Sequence, residues 1–345
     1  MKRIMMGATV ATAIMLSGAA NAQQVLKFQT GWAAGSFSLT YTLKNWVPKL
    51  EAMTYGNLKI DIRPSKTVVP HRETPQAVAA GILQGDMNSV AYFAGRDPAF
   101  GMLGDLIAVF DTTEQNQMFF RFGGGVEILQ KVWDHHLPGK IHVVGAGPFA
   151  KEAFVSTVPI RTVEDFKGLK LRSPEGMAAE VFRRVGSAPT SIPFPELYTA
   201  LEKKVVDAAD ASSYTNNASL GFNKIAKYPI YPGIHSMNIA QFVVNQKIWE
   251  QIGPQGQAAL ETWYYAMWPD VTRATDLMDH ELVARDMAES SKTGIEVINW
   301  SQGEGDKLRK RAQGAWEVMS NQNTTAKEAY GDLHVFMEKA AQKSA

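Results

Sequence analysis

Val25-Leu26-Lys27-Phe28-Gln29-Thr30 alternates apolar and polar side chains, the period-two pattern of a half-buried strand. Downstream, Gly31-Trp32-Ala33-Ala34-Gly35-Ser36 breaks the alternation as a loop, and residues 39–53 take up amphipathic helical spacing that stops before Gly56. Leu58-Lys59-Ile60-Asp61-Ile62 alternates again. Residues 74–84 read as a helix with Gly85 at its end, and residues 86–92 as a strand. Strand, helix, strand, helix, strand is the order of an α/β fold with a largely parallel sheet.

Upstream of this unit, Lys2 and Arg3 precede a short apolar run, and Ala20-Asn21-Ala22 closes it. Basic start, apolar core and A-x-A end make a secretory signal peptide cleaved after Ala22. The run is too short for a membrane anchor. Export to the periplasm removes ATP and reducing power, which favours binding, carrying or hydrolysis over cofactor-dependent metabolism; no cofactor is expected.

The chain has 345 residues, of which 45% are hydrophobic and 20% charged, and no cysteine. Without disulfides it must rest on an apolar core, which this length supplies. Losing the two leader cations takes the formal charge from +1 to −1, so neither nucleic acid nor an anionic membrane is called for.

The middle of the chain repeats the theme. Residues 141–145 and 152–157 read as extended, Thr162-Val163-Glu164-Asp165 as a capped helix start, and Leu169-Lys170-Leu171-Arg172 as a strand stopped by Ser173-Pro174. Helices follow at residues 177–185 and 195–204, then a strand at 205–209. Proline-led helix, acid and small-residue strand recur in both halves (Thr74-Pro75 to Asp86, Phe194-Pro195 to Asp207), which suggests two similar lobes. Helical spacing then runs almost unbroken over residues 254–292, long enough to lie along both lobes, with a kink expected at Pro269. The polar tail from Asn321 reads as a surface helix that frays at its end.

Two motifs are weak. Gly145-x-Gly147-x-x-Ala150 mimics a dinucleotide fingerprint, but the β-branched stretch after it is a poor helix. His135 and His136 are adjacent and point apart, so they chelate poorly. No G-x-S-x-G elbow is present. Arg172 is stronger: it ends a strand in an α/β pattern, where ligands collect, and a guanidinium there can grip a carboxylate bidentately. The alternative is a surface arginine paired with Glu175 or Glu180. Residues 207–217 also follow a strand, and Asp210, Ser212, Ser213 and Tyr214 can hold a polar ligand or cation, or simply form a loop and helix cap.

In order, the Gly31-Trp32 loop, Asp86 to Tyr92, Asp165-Phe166-Lys167-Gly168-Leu169-Lys170-Leu171-Arg172, Leu197 to Asp210 and Tyr228-Pro229-Ile230-Tyr231-Pro232-Gly233 resemble the DctP-type solute-binding proteins of tripartite ATP-independent periplasmic (TRAP) transporters, over nearly the whole mature chain. The resemblance is nearest to the 2-oxo acid and monocarboxylate branch. It implies two α/β lobes around a cleft, crossing hinge strands and a long backbone helix, with residues 23–145 and 236–255 as one lobe, 146–235 as the other, and 256–345 as the long and C-terminal helices. It implies an organic-acid ligand, a TRAP permease as partner and Arg172 as the carboxylate anchor, and leaves the oligomeric state open, a homodimer included. It places Asp210 where an acidic residue of that branch helps hold a cation. This chain departs from the branch there: Asp210 is shorter than the usual Glu, Ala211 replaces an aromatic residue, residues 234–237 carry no acid, and no glutamine stands at 149–153. These changes argue against the cation and open the cleft toward a larger or aromatic acid, with Trp32, Tyr92 and Phe93 as apolar walls and Ser212, Tyr214 and His235 at its polar edge. The rival readings are an exported ester or amide hydrolase using Ser212 or Ser213 with His235, and a sensor that presents its ligand to a receptor.

Overall fold

The computed structural model describes residues 23–233 and 236–342; the leader read at residues 1–22 and the ligand candidate His235 lie outside the described residues. Nine strands among them form two sheets. The first holds β1 (Gln24–Thr30), β2 (Leu58–Arg63), β3 (Gly85–Met87), β4 (Ile141–Pro148) and β9 (Ile239–Asn245), in the order β2-β1-β3-β9-β4. β2 and β3 flank β1 in parallel, whereas β9 runs antiparallel to both β3 and β4. The parallel order read from the sequence therefore holds for the first three strands. β9 reverses it because it returns to this sheet from the second one. That second sheet orders β5 (Phe154–Ser156), β6 (Lys170–Arg172), β7 (Ala188–Thr190) and β8 (Ala208–Asp210) as β5-β8-β6-β7, with β6 parallel to both neighbours.

Local chemistry explains where the elements differ from the sequence reading. The helix expected over 39–53 is two helices, Phe37–Asn45 and Val47–Met53. Pro48 has no N–H for the Lys44 carbonyl and instead occupies the first turn of the second helix. The helix at 74 is shorter than expected, Thr74–Ala79, and Gly85 opens β3 rather than closing that helix. A Cβ at Gly85 would lie 2.1 Å from the Phe28 ring, so the glycine lets β1 and β3 approach. Past Met87 the strand gives way to a 3₁₀ turn, Val90–Phe93.

One face of the first sheet buries Leu26, Phe28, Ile60 and Ile62 against Trp263, Tyr264 and Met267 of a 36-residue helix, Gly253–Ala288. At 1.5 Å per residue this helix is about 54 Å long. It continues through Pro269 and packs on β4, on the two N-terminal helices and on Tyr214–Ser219 from the second lobe. The other face shares a core with Phe154, Phe166 and Phe182. The tail forms the helix Thr324–Gln342, whose Ala326, Ala329 and Leu333 are buried against the helix Pro98–Gly104, so one face of it belongs to the core. Between the sheets the chain crosses twice, side by side: Phe149 N donates to Asn238 O (2.9 Å) and Glu152 N to Ser236 O (3.0 Å).

Candidate functional site

A half-open cavity lies between the lobes, where β1 and β6 end and the chain crosses. Trp32, Ser36, Ser89 and Tyr92 face it from the first lobe, and Phe149, Glu152 and Asn238 from the crossing segments. Arg172, Phe194 and Ser212 are among the residues that face it from the second.

Arg172 is the last residue of β6, and β7 and β8 hold it from both sides. Its side chain is only 3% exposed. Nε donates to Ile192 O (2.9 Å), one terminal nitrogen to the Asp210 carbonyl, and the other to Tyr92 Oη (3.4 Å). A guanidinium has five N–H groups, so each terminal nitrogen keeps one that no described residue accepts. The surface pairing considered from the sequence is absent: Glu175 pairs with Arg72, and Glu180 with Arg183 and Arg184. No carboxylate among the described residues forms an ion pair with Arg172. A buried, fixed cation with an unused N–H on each terminal nitrogen is chemically suited to a carboxylate.

Behind the guanidinium, Asp105, Glu152 and Asp210 bring carboxylate oxygens within 4.8 Å of one another, all buried. The Ser236 hydroxyl lies 3.1 Å from Asp105, 3.0 Å from Glu152 and 3.0 Å from Asp210. A hydroxyl donates one proton and ionised carboxylates only accept, so three such contacts require protons on the acids or a cation among them. Burial holds all three carboxyls above their usual range; at Asp105 and Glu152 the nearby Asp210 charge adds to this, and at Asp210 hydrogen bonding to Glu152 and the Arg172 charge oppose it. Asp210 Oδ1 is buried with no partner among the described residues. Hard oxygen ligands with one lone pair unclaimed fit a calcium or sodium ion. Asp105 and Glu152 escaped the sequence reading because they come from separate segments. The one legible signal was an acid, Asp105, inside the apolar run 102–107.

The remaining expected residues divide. Trp32 lines the cavity with its ring stacked on Trp268 (5.2 Å, 12°) and set edgewise to Phe149 (5.8 Å). Tyr92 lines it with its ring against His71 (4.4 Å). Ser212 lines it with Oγ accepting from Asn216 Nδ2 (3.1 Å). Phe93 does not serve as a wall: the 3₁₀ turn sends it into the core against Phe100 and Trp133. Tyr214 is also withdrawn, because its hydroxyl donates to Asp286 (2.7 Å) on the long helix and its ring meets Tyr231. Ser213, offered as a nucleophile, accepts the Asn216 N–H as a helix cap (3.2 Å). Gly145 and Gly147 lie inside β4 under the rings of Tyr264 and Trp268, which explains the false nucleotide motif. His136 pairs with Asp97 (3.0 Å). Lys66 pairs with Glu196 and Arg72 with Glu175, and Ser38 N donates to Asn216 Oδ1 (3.1 Å), tying the lobes together.

No helix among the described residues is long and apolar enough to cross a membrane. Comparison with known proteins agrees with this architecture. A monocarboxylate 2-oxoacid-binding periplasmic protein of Nostoc sp. is 25% identical over 321 residues, covering 91% of this chain and 84% of that protein. A TRAP periplasmic solute-binding protein of Rhodobacter sphaeroides, solved in an apo open form, is 34% identical and superposes with a TM-score of 0.72 over 92% of this chain and 99% of that one. A TRAP solute-binding protein of Bordetella bronchiseptica, solved as a dimer with copurified calcium and picolinate, shares 23% identity and a TM-score of 0.79 over 93% and 94%. The family model for bacterial extracellular solute-binding protein family 7, DctP, matches residues 28–323. The chain thus belongs to the DctP family, two-lobe TRAP solute-binding proteins that bind and deliver rather than catalyse.

Proposed function

We propose that this protein is exported, loses its leader after Ala22, and captures a small monocarboxylate (a 2-oxo or aromatic acid) between its lobes through Arg172 for delivery to a TRAP permease. The observation that carries this reading is the buried guanidinium with no ion-pair partner among the described residues and a spare N–H on each terminal nitrogen. Burial strengthens such a pair only when the remaining hydrogen bonds are satisfied, and Ile192, Asp210 and Tyr92 already take the other three N–H groups. The 2-oxoacid specificity of the Nostoc relative and the picolinate in the Bordetella protein support the ligand class. The calcium in that structure supports a cation held by Asp105, Glu152 and Asp210, in place of the glutamine and distal acid that this chain lacks. A calcium ion there would offset most of the cluster's charge and leave Arg172 free for the anion.

A thermal-shift screen with small carboxylates, with and without calcium, tests the reading: a ligand that binds only the folded protein raises Tm by mass action. Pyruvate or benzoate at millimolar concentration should raise Tm, more so with calcium. A protein indifferent to every carboxylate in both conditions would sink it.

A further inference from the structure

Four polar groups around the cavity make no hydrogen bond to any described residue. They are Trp32 Nε1, Ser36 Oγ, Ser89 Oγ and Asn238 Oδ1, each buried. Their chemistry is mixed. The indole N–H can only donate, the amide oxygen can only accept, and the two hydroxyls do either. All four lie on the first lobe or the crossing segment, whereas Arg172 belongs to the second lobe. The same cavity is lined by four aromatic residues, Trp32, Tyr92, Phe149 and Phe194, with the Trp32 ring backed by Trp268.

We infer, building on the carboxylate reading above, that the preferred ligand is a hydroxylated aromatic monocarboxylate. Its carboxylate meets Arg172, its ring lies among the four aromatic residues, and its hydroxyl reaches the unpartnered groups on the opposite wall. A hydroxyl both donates and accepts, so it answers Asn238 Oδ1 and Trp32 Nε1 alike, which a bare ring or a short aliphatic acid does not. Leaving a buried polar group unpaired is costly, and a site built around such a group discriminates against the analogue lacking the partner. The arrangement also couples recognition to closure, since the two ends of the ligand are held by different lobes and only the closed form satisfies both.

Isothermal titration of the full mature protein with benzoate, 3-hydroxybenzoate, 4-hydroxybenzoate and pyruvate tests the inference. At least one hydroxybenzoate should bind tenfold or more tighter than both benzoate and pyruvate. That advantage should fall below threefold in one or more of Ser36→Ala, Ser89→Ala and Asn238→Leu. Ser36→Ala and Ser89→Ala remove one atom each, so they keep the test valid if Asn238→Leu misfolds. Benzoate or pyruvate equal to or tighter than both hydroxybenzoates would overturn the inference and leave carboxylate capture standing. Preserved discrimination in every folded variant would overturn it too. If none of the four acids binds, the carboxylate reading itself fails.

Discussion

Replacing Arg172 with lysine keeps the positive charge and discards the fork. The guanidinium spends three N–H groups on Ile192, Asp210 and Tyr92 and has one left on each terminal nitrogen. An ammonium on a shorter stem concentrates three donors on one atom. If it faces the ligand it offers one good bond to the carboxylate where the guanidinium offers two, and it leaves at least one of the Ile192 and Asp210 carbonyls unpaired. A hydrogen bond to a charged group contributes about 1.5–3 kcal/mol, and each 1.4 kcal/mol is a factor of ten. Losing one such bond should weaken binding about 10- to 150-fold. The assay is isothermal titration of wild type and Arg172→Lys with the tightest-binding carboxylate at fixed pH and salt, with urea unfolding as the control for stability. A folded variant whose Kd stays within threefold of wild type would refute the anchoring role, whatever else lines the cavity.

Other outcomes follow from the same geometry. Gly145→Ala places a Cβ 2.2 Å from Tyr264 and should cost about 1–3 kcal/mol by overpacking, read as a lower urea midpoint; an unchanged midpoint would mean that the ring yields. Chelation by EDTA should lower Tm and calcium should restore it, whereas Asp210→Asn should respond to neither; a wild type indifferent to both would remove the cation from the account. His71 is held down at about 4, first by burial and then by the Arg72 and Lys66 charges. Because that lies below its unfolded value near 6.5, the neutral ring's contribution is complete above pH 6.5 and is lost as pH falls toward 4. His71→Phe should therefore flatten stability over that interval, and an unaltered profile in urea would count against this. Ser213→Ala should lose about 1 kcal/mol of helix capping, and neither it nor wild type should turn over a generic ester.

Where function could be read from the chain, a local pattern carried it. β1, β2 and the Arg172 strand announce themselves by alternation or by the Ser-Pro stop, and the long helix by its period. Where the reading failed, the cause was at a distance. Gly85 passed for a helix terminator because the Phe28 ring that requires a glycine is far away in sequence. The break at Trp46 hid behind continuous apolar spacing, although Pro48 stood beside it. Phe93 passed for a wall because adjacent aromatic residues look alike until a 3₁₀ turn separates Tyr92 from it. The carboxylate cluster had no spacing to detect: Asp105 ends a helix, Glu152 lies on a crossing segment and Asp210 ends β8. Arg172 was legible as a strand end, but its lack of an ionic partner was not, because that depends on Arg72, Arg183 and Arg184 claiming the neighbouring glutamates.

The two indoles of Trp32 and Trp268 lie nearly parallel, and one of them forms part of the cavity wall. Stacked chromophores couple their excited states, so the pair gives the molecule an intrinsic optical gauge in near-ultraviolet circular dichroism. Any guest that nudges the outer indole alters that signal without a label, and occupancy can be followed while the lobes move.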